Sequence, residues 1–207
     1  MTPAPTSPDE HLTLARAAEA ETKVLGSVFR ARAVRVAMPD DVRAVLAELR
    51  KREWDATHHV SAYRLADGTA RADDDGEPSG SSGPPVLRQI DARSVVDALV
   101  VVARWFGGTK LGVGGLVRAY GDAAALALDA AGVETVVART AVVVRFAYAD
   151  TSPALHAVSR VDALTLATDY GDNTALTLAV RRGDVPRLVD AVREATGGRA
   201  SVTVDGV

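Results

Sequence analysis

Apolar positions repeat with two different periods along this chain, and each change of period marks a new element. From 22 to 38 the β-branched residues Val24, Val28, Val34 and Val36 predict one long strand or a hairpin. Pro39-Asp40-Asp41 then opens a helix. Acidic side chains suit its positive N-terminus, and Val42, Val45, Leu46 and Leu49 recur at helical spacing to about Arg52. Residues 57–65 read as a strand followed by an Asp67-Gly68 turn. Residues 86–90 read as short and extended, 91–98 as helical, and 99–105 as a buried strand. A helix over about 115–131 places Leu116, Ala119, Tyr120, Ala123, Ala127 and Ala130 on one face, with Gly132 as its C-cap. Ahead of these elements, 1–21 reads as a loose arm, in which 12–20 fits either a helical turn or more of the arm.

The pattern shifts after Gly132. Residues 135–148 alternate as a strand, and 152–161 have helical spacing with Pro153 near the first turn. Strands at 164–170 and 174–181 are joined by the turn Gly171-Asp172-Asn173. A helix at 185–196 stops at Gly197-Gly198, and 200–204 is a last strand. That order, β-α-β-β-α-β, is the ferredoxin-like arrangement. The expectation is an α+β chain of two domains, 22–133 and 134–207.

Composition narrows the chemistry. With 47% hydrophobic and 25% charged residues the chain is ordinary for a folded soluble protein. A net charge of −3 implies no broad basic surface, so any nucleic-acid contact must be a local patch, and no DNA specificity is expected. The absence of cysteine removes disulfides, thiolate catalysis and Cys-ligated metals. Neither a signal peptide nor a membrane span is visible: the apolar run from Ala98 to Ala103 is far below the ~20 residues a span needs. A cytoplasmic location with no membrane partner follows as the expectation.

Two glycine-rich blocks hold the candidate chemistry: Asp73-Asp74-Asp75-Gly76-Glu77-Pro78-Ser79-Gly80-Ser81-Ser82-Gly83 and Arg104-Trp105-Phe106-Gly107-Gly108-Thr109-Lys110-Leu111-Gly112-Val113-Gly114-Gly115-Leu116-Val117-Arg118. Strand, glycine loop and helix in succession suit an anion at the helix N-terminus. The chain contains no Gly-Lys, and Val117 stands where a dinucleotide fingerprint needs glycine, so neither nucleotide motif is complete. What remains is a helix start at Gly114-Gly115 bracketed by Arg104, Lys110 and Arg118, suited to a phosphate such as an RNA backbone; the plainer reading is a tight turn with Arg118 paired to Asp122, and the two can coexist. The acidic block resembles an oxygen-ligand set, but Pro78 replaces the glycine an EF-hand requires, so the aspartates are expected to accept turn N–H groups instead. No metal or cofactor is expected. No Gly-x-Ser-x-Gly elbow surrounds Ser79, Ser81 or Ser82, and no catalytic residue is assigned. His58 and His59, adjacent on one strand, point to opposite faces, leaving one to meet the glycine loops. Trp105 and Phe106, next to a buried strand, read as core in preference to base-stacking surfaces.

These same blocks resemble the IMPACT/YigZ family. That family is marked by Asp-Asp-Gly-Glu-Pro-Ser-Gly, matched at 74–80, and by Arg-Tyr-Phe-Gly-Gly-x-Lys-Leu-Gly-x-Gly-Gly-Leu-x-Arg-Ala-Tyr, matched at 104–120 with Trp105 for tyrosine. Ala56-x-His58 and Ala62-Tyr63-Arg64 are also similar to it, and the likeness runs from about Thr22 onward. His59, Ser81-Ser82 and Val28 depart from the usual residues. The resemblance implies a first domain with the left-handed β-α-β fold of elongation factor G domain IV and a second like its domain V. Eukaryotic relatives regulate translation through an additional N-terminal module, and that module's partner is not carried over.

The resulting expectation is a translation-associated factor that contacts RNA or the ribosome without catalysis. Arg64, Arg104, Lys110, Gly114, Gly115 and Arg118 would surround phosphate, and His58, Asp74, Asp75, Glu77, Ser79 and Gly80 would shape the facing wall. Two alternatives use the same cleft: an enzyme for a phosphorylated or peptide-like small molecule, and a module that docks a protein partner.

Overall fold

The computed structural model describes residues 9–204, in two compact units. Among these residues the first unit holds His11–Val136, and the second holds Asp9, Glu10 and the chain from Val137 onward. The division thus falls at 136/137, against the expected 133/134. Within the expected arm, the first eight residues lie outside the described range. Beyond them the arm expectation is corrected: Glu10–Leu14 is strand β1 and Ala18–Val24 is strand β2. Alternation along Ala18–Val24 is of period two, which a half-covered strand produces and a loose arm does not.

In the first unit, β2, β3 (Ser27–Arg35), β4 (His58–Arg64), β5 (Ala70–Asp73) and β6 (Ala98–Trp105) form one sheet in the order β2-β3-β6-β4-β5, with every neighbouring pair antiparallel. β2 and β3 are a hairpin whose turn residues Leu25 and Gly26 have φ of 47° and 84°, the left-handed pair that a tight hairpin uses. β3 and β4 flank β6 and run parallel to each other, so helix α1 (Pro39–Arg52) is their β-α-β crossover. Strand β6 is buried on both faces, which explains its unbroken apolar run. Ala98, Val100 and Val102 join Phe29, Val60 and Ala62 beneath α2 (Gly83–Ala92) and α3 (Gly112–Ala131). Leu99 and Val101 face the other way, with Val34, Val42, Leu49 and Leu65 under α1. On α3 the buried stripe is built of small residues, Ala119, Ala123, Ala124, Ala127 and Ala131; Ala130 is exposed. β1 pairs with β7 (Val133–Val137) in a separate two-stranded ribbon.

The expectation for 86–98 is corrected. Gly83–Ala92 is helical, with Val86 and Ile90 one turn apart in the core, and the chain then leaves the helix through Ser94 and Asp97, both at φ 53°. Pro84 sits in the first turn, where its missing N–H costs nothing. The short strand β5 was not anticipated. It pairs with β4 around the Asp67-Gly68 turn.

The second unit is a four-stranded antiparallel sheet of β8 (Arg139–Phe146), β9 (Ala163–Tyr170), β10 (Thr174–Arg181) and β11 (Ser201–Val204), in the order β11-β8-β10-β9. Helices α4 (Thr151–Val158) and α5 (Val185–Thr196) cover one face, completing β-α-β-β-α-β. The strand expected at 135–148 is two strands, β7 and β8, broken at Ala138. Leu176, Leu178 and Val180 meet Leu188 and Val192 in its core. Among the described residues, no helix is long and apolar enough to cross a membrane.

Leu178 has no exposed surface, and its replacement by alanine leaves a cavity under α4 and α5. Leu178→Ala is expected to cost about 2–5 kcal/mol, measured as a shift in the urea midpoint at constant m-value.

Candidate functional site

Register across the sheet assembles the site. Phe29 and His58 are the β3 and β4 partners of Arg104 on β6. Partners across a ladder point to one face, so all three project toward α2 and α3 at one end of the sheet. The acidic block folds over that end. Glu77, with a side chain 5% exposed, reaches Arg104, which is 6% exposed: Arg104 Nη1 donates to Glu77 Oε1 at 2.6 Å. The Tyr120 hydroxyl, from α3, donates to the same Glu77 oxygen at 2.8 Å. Arg104 Nη2 donates to Ser27 Oγ at 3.2 Å, and the guanidinium lies 5.4 Å and 5.5 Å from the ring centroids of Phe29 and Phe106. Burial, reinforced by the Glu77 carboxylate, pushes the Tyr120 phenol well above the usual tyrosine range, so it remains a donor.

Each aspartate of the run has its own task. Asp74 accepts N–H groups from Gly80, Ser82 and Gly83 at 2.7, 2.9 and 2.8 Å, closing the loop onto the start of α2. Burial alone would raise its pKa; these three donors outweigh burial and hold it below the ordinary aspartate value. Asp75 accepts the His59 N–H at 2.6 Å and an Arg50 N–H at 3.0 Å. Asp73 accepts the Asp75 N–H at 2.9 Å. The Asp75 carbonyl lies 2.7 Å from His58 Nδ1. A carbonyl only accepts, so that nitrogen carries the hydrogen, leaving Nε2 3.9 Å from Glu77 Oε1. Among the described residues no cluster of His, Asp and Glu has a metal-ligand arrangement.

The second block meets the β2–β3 turn by close backbone approach. A Cβ on Gly107 would stand 1.9 Å from the Gly26 carbonyl carbon, so the two chains pass only because both residues are glycine. Gly107 N–H donates to Ser27 Oγ at 3.1 Å, and Phe106 N–H to Thr57 Oγ1 at 3.2 Å. Beyond them lies a cleft of about 340 Å³ lined from both blocks: Glu77 and Pro78 on one side, Phe106, Lys110, Leu111 and Val113 on the other, with Arg104 and Leu116 beneath.

The decisive likeness is to known sequences. Residues 25–128 match the model of the Impact N-terminal domain, and 144–199 match that of a domain of unknown function named DUF1949. The chain belongs to the IMPACT family. IMPACT family member YvyE of Bacillus subtilis is 39% identical over 59% of this chain and 58% of its own length. A Thermus thermophilus IMPACT family member is 47% identical over 49% of this chain and 55% of its own. These matches span little more than half of either relative. Protein IMPACT of Bos taurus is 37% identical over 42% of this chain and 29% of its own. A crystal structure described as a hypothetical protein superposes over 94% of this chain and 96% of its own with a TM-score of 0.70 at 24% identity, a likeness of fold.

Placed on this IMPACT-family fold, the expected site residues separate. Arg64 sits at the far end of β4, about 20 Å along the strand from His58, and Arg64 Nε donates to Asp91 at 2.6 Å. It is removed from the site. Arg104 is corrected from a phosphate ligand to the buried partner of Glu77. Gly114 and Gly115 lie inside the first turn of α3, and Gly115 leaves room for Leu111, whose Cβ is 2.9 Å from where its own would be. Lys110 and Arg118 are exposed and form no ion pair among the described residues, so the pairing of Arg118 with Asp122 is absent. Of the residues expected in the facing wall, Glu77 lines the cleft, whereas His58, Asp74, Asp75 and Gly80 take part in the hydrogen bonds that fold the acidic loop, and Ser79 is exposed. Phe106, 48% exposed, stands on the surface and not in the core. Sequence reasoning missed Ser27, Thr57 and Tyr120 as site-building residues. Only Tyr120 had a signal, its place at the end of the second block. Ser81 and Ser82, which depart from the family pattern, are fully buried with their hydroxyls 3.1 Å apart.

Two substitutions test this arrangement. Asp74→Ala removes the acceptor of three N–H groups and is expected to cost about 1–2 kcal/mol. The folded-state pKa is the lower one, so wild type and variant differ fully above about pH 4, and the gap narrows as pH falls through the folded value. Urea unfolding at pH 7 and pH 3 reads both effects. Glu77→Ala leaves the Arg104 charge buried without a counter-ion, at an expected cost of about 3–5 kcal/mol by the same measurement.

Proposed function

We propose that this protein is a translation-associated regulatory factor that contacts RNA through the rim of the cleft, without performing catalysis. The observation that carries the reading is the division of its cations. Arg64 and Arg104 are neutralised by Asp91 and Glu77, whereas Lys110 and Arg118 flank the start of α3 with no ion pair among the described residues. An α-helix N-terminus with two unneutralised cations beside it attracts a phosphate through both backbone N–H groups and charge. Net charge is −3, so this attraction is local and favours a docked strand over general coating of nucleic acid. The link to translation is what the resemblance to the IMPACT/YigZ family implies; the phosphate contact is inferred from this chain's own residues. The ionisable groups beneath the cleft are bound to one another, with Glu77 engaged by Arg104 and Tyr120, which supports recognition in preference to proton transfer.

Replacing Lys110 and Arg118 together by alanine is expected to weaken binding to all RNA sequences alike and to lower the slope of log affinity against log salt by about two. Fluorescence anisotropy with a labelled RNA across a salt series checks it. Unchanged affinity and slope would remove the reading.

A further inference from the structure

We propose that the RNA taken by this cleft is single-stranded, with one unpaired base inserted against Phe106 while its neighbouring phosphate rests on Lys110 and Arg118. The inference deepens the reading above and rests on it. Phe106, just past the end of β6, is 48% exposed, and Val113 in the first turn of α3 is 58% exposed; both line the cleft. The Phe106 backbone N–H donates to Thr57 Oγ1, and the Arg104 guanidinium lies 5.5 Å from the centroid of its ring. The ring is an aromatic surface open to the cleft and backed by a buried cation.

The cleft's shape and lining narrow what that surface meets. Pro78, Leu111, Val113 and Leu116 supply apolar walls around Phe106, with one rim cation, Lys110. At about 340 Å³ it is near the lower end of small-ligand sites, which run from about 300 to 1,000 Å³, and suits one flat ring system. A partly apolar cleft with Lys110 on its rim matches the two halves of a nucleotide, a ring and an attached phosphate. Within a duplex both faces of a base are covered by its neighbours, so only an unpaired nucleotide offers a free face to Phe106. Buried Arg104 adds a cation beneath the ring without taking the phosphate's place, since Glu77 already neutralises it.

The test compares a labelled oligouridine with an RNA duplex of equal length, using the full chain, Phe106→Ala, Phe106→Leu and the Lys110→Ala/Arg118→Ala double variant. The wild type is expected to bind the single strand at least tenfold more tightly than the duplex. Both Phe106 variants are expected to lose about tenfold on the single strand and with it the preference, while keeping the wild-type circular dichroism. Leucine retains apolar bulk but offers no π-face, so a loss in both variants assigns the effect to stacking. Equal affinity for the two RNAs, or a preference that survives both Phe106 variants, overturns the inference. If the double variant still weakens binding in that case, the RNA-contact reading stands alone. Binding of neither RNA defeats both.

Discussion

A buried carboxylate and a buried guanidinium govern the first unit. Removing Glu77 and Arg104 from water is costly, and their attraction offsets that cost with help from further partners, although Arg104 Nε stays buried without a hydrogen-bond acceptor. Tyr120 supplies a hydroxyl donor from α3, Ser27 an acceptor from the β2–β3 turn, and Phe29 and Phe106 flank the cation. These contributions come from widely separated parts of the sequence. The constraint therefore reaches outward: the contact of Gly26 with Gly107, the cross-strand row of Phe29, Arg104 and His58, and the folded acidic loop all serve one geometry.

This arrangement separates the family blocks into inward and outward residues. Within 104–120, Arg104, Leu116 and Tyr120 face the interior, while Phe106, Lys110, Val113 and Arg118 face solvent. Within 74–80, Asp74, Asp75 and Glu77 are all engaged by other parts of the protein. Much of a long, specific motif thus builds the interior and the folded loop, and a handful of its positions remain exposed.

What the sequence disclosed follows from how local each signal is. α1 and α5 were legible because capping residues and a 3.6-residue apolar period lie within the segment itself. The second unit was legible almost throughout for the same reason. Helix α2 was not, because its first turn is closed by Asp74, a carboxylate nine residues before Gly83, and the intervening glycines disguise the helix start as loop. Arg64 and Arg104 were misplaced for a related reason. Two arginines look identical in a sequence, and only strand register and the approach of Asp91 or Glu77 decide which are already neutralised. The convergence of the two glycine blocks was anticipated; the division of labour inside them was not.

The acidic loop is fastened along its length: Asp74 at its base, Asp75 to the β4 backbone, Glu77 to the interior. Such a loop is a fixed wall and not a hinged lid, since swinging it outward would strand the Arg104 charge in an apolar setting. On the acidic side, then, the cleft's shape is set by the fold itself and does not depend on the closing of a gate.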